Sequence, residues 1–161
     1  MPVATLTDQD GHRATIASGR VTLLYFGYTS CPDVCPTTMA DIAAGLRKAG
    51  PGVAAKVRVV MVSSDPVRDT PAALKQWLGG YDPSFEGLTG DWATITRAAR
   101  TVGVLLPETQ PVALTDVGHS AQVIGYTADG AGRVMWLGSA TPGQLAAQIA
   151  HDVPLLVAGR G

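Results

Sequence analysis

The chain reads as an α/β domain: a central mixed β-sheet flanked by helices, with a hairpin at its N-terminus. Two observations predict this. Residues 21–28 (Val-Thr-Leu-Leu-Tyr-Phe-Gly-Tyr) and 57–64 (Val-Arg-Val-Val-Met-Val-Ser-Ser) are strand-length runs apolar on both faces, as expected of strands covered on either side. Between and after them, apolar residues recur at helical spacing, so helices alternate with strands. A length of 161 residues, 46% hydrophobic and 16% charged, suits one domain, residues 1–161, with a substantial core.

The elements follow in order. Residues 4–17 predict a short hairpin turning at Asp8-Gln9-Asp10-Gly11 and covering one sheet edge. The strand at 21–28 gives way to a helix carrying Met39, Ile42, Ala43 and Leu46 on one face and ended by Gly50-Pro51-Gly52. After the strand at 57–64, Thr70-Pro71 supplies an N-cap and a first-turn proline for a helix with Leu74, Trp77 and Leu78 inward and Gly79-Gly80 at its end. Residues 85–89 predict a short strand, and Asp91 caps a helix bearing Ile95, Ala98, Ala99 and Val102. Residues 103–118 have no periodicity and contain Pro107 and Pro111; loops this long are often functional. Residues 120–127 and 133–137 predict an antiparallel hairpin, and Thr141-Pro142 opens a last helix with Leu145, Ala146 and Ile149 inward.

Several function classes fall away on composition. The formal charge is −1 and the 12 basic residues are scattered, so no stripe suits a nucleic-acid backbone or an anionic membrane surface. No apolar run approaches the ~20 residues of a spanning helix, and the first residues lack the basic start and apolar stretch of a signal peptide. The chain is therefore expected to be soluble as encoded or trimmed of a leader, without membrane contact of its own.

The chemistry concentrates at Cys31 and Cys35, the only cysteines, placed where the first central strand meets its helix. This element order, with cysteines at that junction, is the thioredoxin-like arrangement, although three residues separate the pair where the oxidoreductase motif has two. A helix N-terminus stabilises negative charge, which acidifies a thiol and assists both metal binding and nucleophilic attack. Two thiols so placed can bind a soft metal or cycle between dithiol and disulfide, and the spacing alone does not decide. His119 follows the irregular loop directly and opens the next strand. Two thiolates and one imidazole suit Cu(I), can take Cu(II), and lack the fourth protein ligand of structural zinc; a lone histidine at a strand start is also an ordinary surface residue.

Residues 25–36 (Tyr-Phe-Gly-Tyr-Thr-Ser-Cys-Pro-Asp-Val-Cys-Pro), 62–71 (Val-Ser-Ser-Asp-Pro-Val-Arg-Asp-Thr-Pro) and Gly118-His119-Ser120, in this order on this pattern, resemble the Sco/SenC family of copper proteins that serve cytochrome c oxidase assembly. The resemblance runs over nearly the whole chain. It implies a thioredoxin fold in which Cys31, Cys35 and His119 bind one copper ion, Cu(I) or Cu(II). It implies as partner the copper-bearing subunit of the oxidase or another copper chaperone, and a monomer lying outside the cytoplasmic membrane on an N-terminal anchor that this sequence does not include. The sequence departs from the family pattern at Ser30, where many members have histidine, and at Gly118, where an aspartate often precedes the copper histidine. Neither departure removes a ligand; the missing aspartate bears on how the imidazole is oriented.

Other residues have simpler explanations. Asp65-Pro66 and Asp69-Thr70-Pro71 fit a strand-ending turn and a helix cap, with Arg68 pairing locally; in the family this stretch lies near the metal, which makes Asp65 and Asp69 candidate supports for the site or contacts for a partner. Met39 has core spacing, His12 and His151 read as surface residues, and Trp77, Trp92 and Trp136 as packing. The function expected is a copper metallochaperone. The alternatives are a thiol-disulfide reductase acting on the cysteines of the oxidase copper site, with Cys31 and Cys35 as the catalytic pair, and a redox or copper sensor using the same residues.

Overall fold

The computed structural model describes residues 1–113, 117, 122–138, 141 and 143–159. Seven strands form one mixed sheet: β1 (Thr5–Asp8), β2 (Arg13–Thr15), β3 (Val21–Gly27), β4 (Val57–Ser63), β5 (Glu86–Thr89), β6 (Gln122–Tyr126) and β7 (Gly132–Leu137), in the spatial order β2-β1-β5-β4-β3-β6-β7. The central trio β5, β4 and β3 is parallel, and the outer pairings are antiparallel. Among the described residues five helices accompany the sheet: α1 (Val34–Ala49), α2 (Pro51–Ala54), α3 (Pro71–Gly79), α4 (Trp92–Thr101) and α5 (Gln144–Val157).

The double-sided apolar strands do what their composition requires. Every residue of β3 and β4 is buried, and alternate side chains feed two separate cores because the side-chain period of a strand is two. Leu23, Tyr25, Val59 and Met61 join Met39, Ile42, Leu74, Leu145 and Ile149 on the face covered by α1, α3 and α5. Leu24, Phe26, Val60 and Val62 join Ile95, Ala98 and Ala99 of α4, with Leu6 and Ile16 of the N-terminal hairpin, on the other. Each Val, Leu, Ile, Met or Phe among them, fully withdrawn from water, contributes roughly 1.5–3 kcal/mol. Arg58, the second residue of β4, ties the edge down: its guanidinium donates to both Glu86 carboxylate oxygens (2.9 and 2.7 Å) and to the carbonyls of Thr15 (3.0 Å) and Ile16 (2.7 Å).

The expected caps hold in two cases. Thr70 Oγ1 accepts from the Ala73 amide (3.2 Å) and Asp91 Oδ1 from the Thr94 amide (2.9 Å). The expected stop of α1 at Gly50 also holds, with one addition. Gly50 ends α1 with φ 96°, but Pro51 at once starts the short α2, since a proline is as good a first helical residue as it is a stop. The last helix begins at Gln144 behind Gly143; Pro142, expected to open it, lies outside the described residues. The Gly143 amide is capped from a distance by the buried Asp41 carboxylate of α1 (3.1 and 3.2 Å), a contact invisible to local sequence patterns. Among the described residues no helix is long and apolar enough to cross a membrane.

Candidate metal centre

The cysteines sit at the C-terminal end of β3, the central strand. Cys31 lies in the connecting loop and Cys35 in the first turn of α1. Asp33, the residue preceding α1, makes no side-chain cap. The cap is instead a sulfur: Cys31 Sγ accepts the Cys35 amide at 3.3 Å. This is one of the orphan donors of a helix start, so the helix N-terminus is aimed at the Cys31 sulfur.

Both cysteines are free thiols, and their side chains are hydrogen-bonded neighbours. They differ in burial. Cys31 retains 7% exposure and Cys35 none. Burial pushes the Cys35 thiol up to about 12, and the bond to Cys31 pushes the same way, while the Tyr25 hydroxyl and a backbone amide partly oppose them. A dithiol this close can take a soft cation between its sulfurs, because metal charge supplies the stabilisation that burial removes from the thiolates. The donor set therefore fits copper.

Two tyrosines address the sulfurs. Tyr25 of β3 donates its phenol to Cys35 Sγ at 3.2 Å, and Tyr28, just beyond the strand, bonds Cys31. Burial raises both phenols, Tyr25 strongly, so both are protonated and available as donors at neutral pH. Gly27 makes the arrangement possible. A Cβ there would overlap the Tyr25 ring and lie 3.0 Å from Cys35 Sγ.

The aspartates flank the cysteine loop in different ways. Asp69 is buried and accepts from the Thr29 amide (3.3 Å), the Thr29 hydroxyl (2.6 Å) and the Ser63 hydroxyl (2.7 Å), fixing the residue two before Cys31. Burial nevertheless raises its carboxyl above the ordinary value. Asp65, also buried, accepts from Arg68 Nε at 2.6 Å, and Arg68 Nη1 donates to the Val112 carbonyl at 2.9 Å, joining the Asp65 turn to the irregular loop. Asp65 Oδ1 makes no hydrogen bond, and its charge acts on Tyr28.

His119 lies outside the described residues. Among the described residues no three His, Cys, Asp or Glu side chains converge as a metal site. Met39 is fully buried in the core. His12 is 77% exposed beside Asp8, and His151 is 79% exposed beside Asp152. The sequence alone assigns Tyr25, Tyr28, Thr29 and Ser63 no role at the site, although all four lie within the segments 25–36 and 62–71 that carry the family resemblance.

Residues 4–153 match the family model SCO1/SenC. A protein of Stutzerimonas stutzeri is 32% identical over 133 residues, covering 81% of this chain and 65% of its own length. An SCO2-like protein of Rickettsia conorii is 42% identical over 93 residues, which is 53% of this chain and 42% of the relative. The chain thus spans less than two thirds of these curated relatives. Among solved structures, ScoI of Bradyrhizobium japonicum with copper bound superposes with a TM-score of 0.75 at 37% identity, covering 91% of this chain and 95% of that one. With a mixed sheet flanked by helices and the cysteine pair where its central strand meets a helix, the fold is thioredoxin-like, and the chain belongs to the SCO1/SenC family.

Proposed function

We propose that this chain is a copper metallochaperone that holds one ion through the Cys31 and Cys35 sulfurs with His119 as third ligand. The observation that carries this is the pair of free, adjacent sulfurs at the N-terminus of α1, in a chain whose relative ScoI was solved with copper bound. Copper is the cargo. Two thiolates and one imidazole suit Cu(I) and accept Cu(II), and a three-ligand set leaves a position through which a recipient's ligand can enter before the donor's leave. The recipient proposed is the copper-bearing subunit of cytochrome c oxidase or another copper chaperone, met outside the cytoplasmic membrane by a monomer whose residues 1–161 act as one domain. Asp69 supports the site by fixing Thr29, and Asp65 by its charge beside Tyr28.

Anaerobic titration of the reduced protein with Cu(I) and Cu(II) against a competing chelator tests the ligand set. One ion should bind tightly to the wild type, and His119→Ala should weaken Cu(II) binding severely while leaving disulfide formation between Cys31 and Cys35 intact. Unchanged affinity in the variant removes His119 from the site.

A second function is favoured by the unequal burial of the cysteines. Cys31, as the less buried sulfur, attacks a substrate disulfide and forms a mixed disulfide; Cys35 then displaces the substrate thiol, leaving this chain oxidised and the substrate reduced by two electrons. Delivery of copper and reduction of the recipient's cysteines use the same two sulfurs in the same reduced state.

A further inference from the structure

We propose that Tyr25 is a positioning residue for Cys35: its phenol holds the buried sulfur and favours the dithiol and metal-bound states of the pair over the disulfide. The metal-bound half of this statement rests on the copper function proposed above; the metal-free half does not.

The phenol is enclosed. Tyr25 has no exposed surface, and its ring lies in the apolar cluster with Met39, Met61 and Val123. A hydroxyl in such surroundings needs a partner. It has two, Cys35 Sγ at 3.2 Å and the hydroxyl of Thr38, one helical turn further along α1. The backbone accommodates the contact, since only a glycine at position 27 leaves room for the ring beside the sulfur. Both sides of the contact are therefore set by the fold: the ring by β3 and Gly27, the sulfur by α1.

The consequence follows from acceptor strength. A sulfur accepts a hydrogen bond best when it carries negative charge, less well as a thiol, and least when its electrons are shared in a disulfide. The Tyr25 bond therefore stabilises the reduced and metal-bound forms more than the oxidised one. Hydrogen bonds to a copper-bound thiolate also withdraw electron density from the sulfur, the lever that tunes copper–thiolate sites elsewhere.

The test equilibrates the metal-free protein with dithiothreitol. The Cys31–Cys35 bond breaks, the reagent closes to its cyclic disulfide, and two electrons and two protons pass to the protein, so the ratio of products gives the exchange constant directly. Tyr25→Phe keeps every ring carbon and removes only the donor; the constant for reduction should fall about threefold or more, where tenfold corresponds to about 30 mV. Gly27→Ala retains the hydroxyl but displaces the ring, and should shift the constant in the same direction. In copper-loaded protein, the sulfur-to-Cu(II) charge-transfer band of Tyr25→Phe should move to lower energy, because the sulfur lone pair is no longer stabilised. A metal-free constant equal to that of the wild type in both variants overturns the proposal. If the wild type binds no copper, the metallochaperone function fails, while the metal-free constant still decides the role of Tyr25.

Discussion

The Asp69 carboxylate accepts both the amide (3.3 Å) and the hydroxyl (2.6 Å) of Thr29, a residue forty positions earlier in the chain. With Ser63 as a third donor at 2.7 Å, this buried carboxylate joins the ends of β3 and β4 to the loop that carries Cys31. Removing it leaves three donors without their acceptor, the buried Ser63 hydroxyl and the half-buried amide and hydroxyl of Thr29. Asp69→Ala should therefore cost on the order of 3 kcal/mol, measured by urea unfolding, and the same variant should bind copper more weakly because the cysteine loop is no longer fixed.

The Asp69 carboxyl also makes stability depend on pH. Its folded value is raised by burial above the ordinary 3.8, so the folded state takes up the proton more readily than the unfolded chain. Its contribution is thus fully present below about 3.8 and is lost as pH rises through the raised folded value. Unfolding curves of wild type and Asp69→Asn between pH 3 and 7 should diverge in that window, the wild type losing stability relative to the variant as pH rises. Parallel curves would show that the Asp69 carboxyl does not change its proton affinity on folding.

The two cysteines should react at different rates. Cys31 retains some exposure and has a helix N-terminus aimed at its sulfur, while Cys35 is sealed under Tyr25 with its thiol pushed up to about 12. With a small alkylating reagent at neutral pH, Cys31 should be modified about tenfold faster or more, as read by peptide mass spectrometry. Equal rates would mean that the loop opens before either thiol reacts.

Cys35 predicts an alkaline loss of stability. Its folded value, about 12, lies above the ordinary 9.0, so its contribution is complete below about pH 9 and is lost as pH rises toward the folded value, because the unfolded chain ionises first. The reduced wild type should therefore lose more stability than Cys35→Ala over that interval. The disulfide form, having no thiol to titrate, should behave like the variant.

Much of this was legible in the sequence because it is written locally. The double-sided strands β3 and β4, the Thr70 and Asp91 caps and the cysteine pair at a strand–helix junction follow from runs of a few residues. So does the Arg68–Asp65 pair, three residues apart. What was not legible depends on partners brought together by the fold. Asp69 reads as part of a turn until β4 is placed beside β3 and Thr29 arrives. Tyr25 reads as a strand former until Gly27 and α1 set a sulfur against its hydroxyl. Asp41 reads as a helix-face carboxylate until the Gly143 amide, just ahead of α5, meets it.

The central claim is that Cys31 and Cys35 together hold the copper. X-ray absorption on anaerobically loaded protein, at one copper per chain, tests it most directly. The spectrum should show two sulfur neighbours and one nitrogen around the metal in the wild type, and one sulfur in Cys35→Ser. A wild-type spectrum with no sulfur, or with a single sulfur unaffected by loss of Cys35, would contradict it.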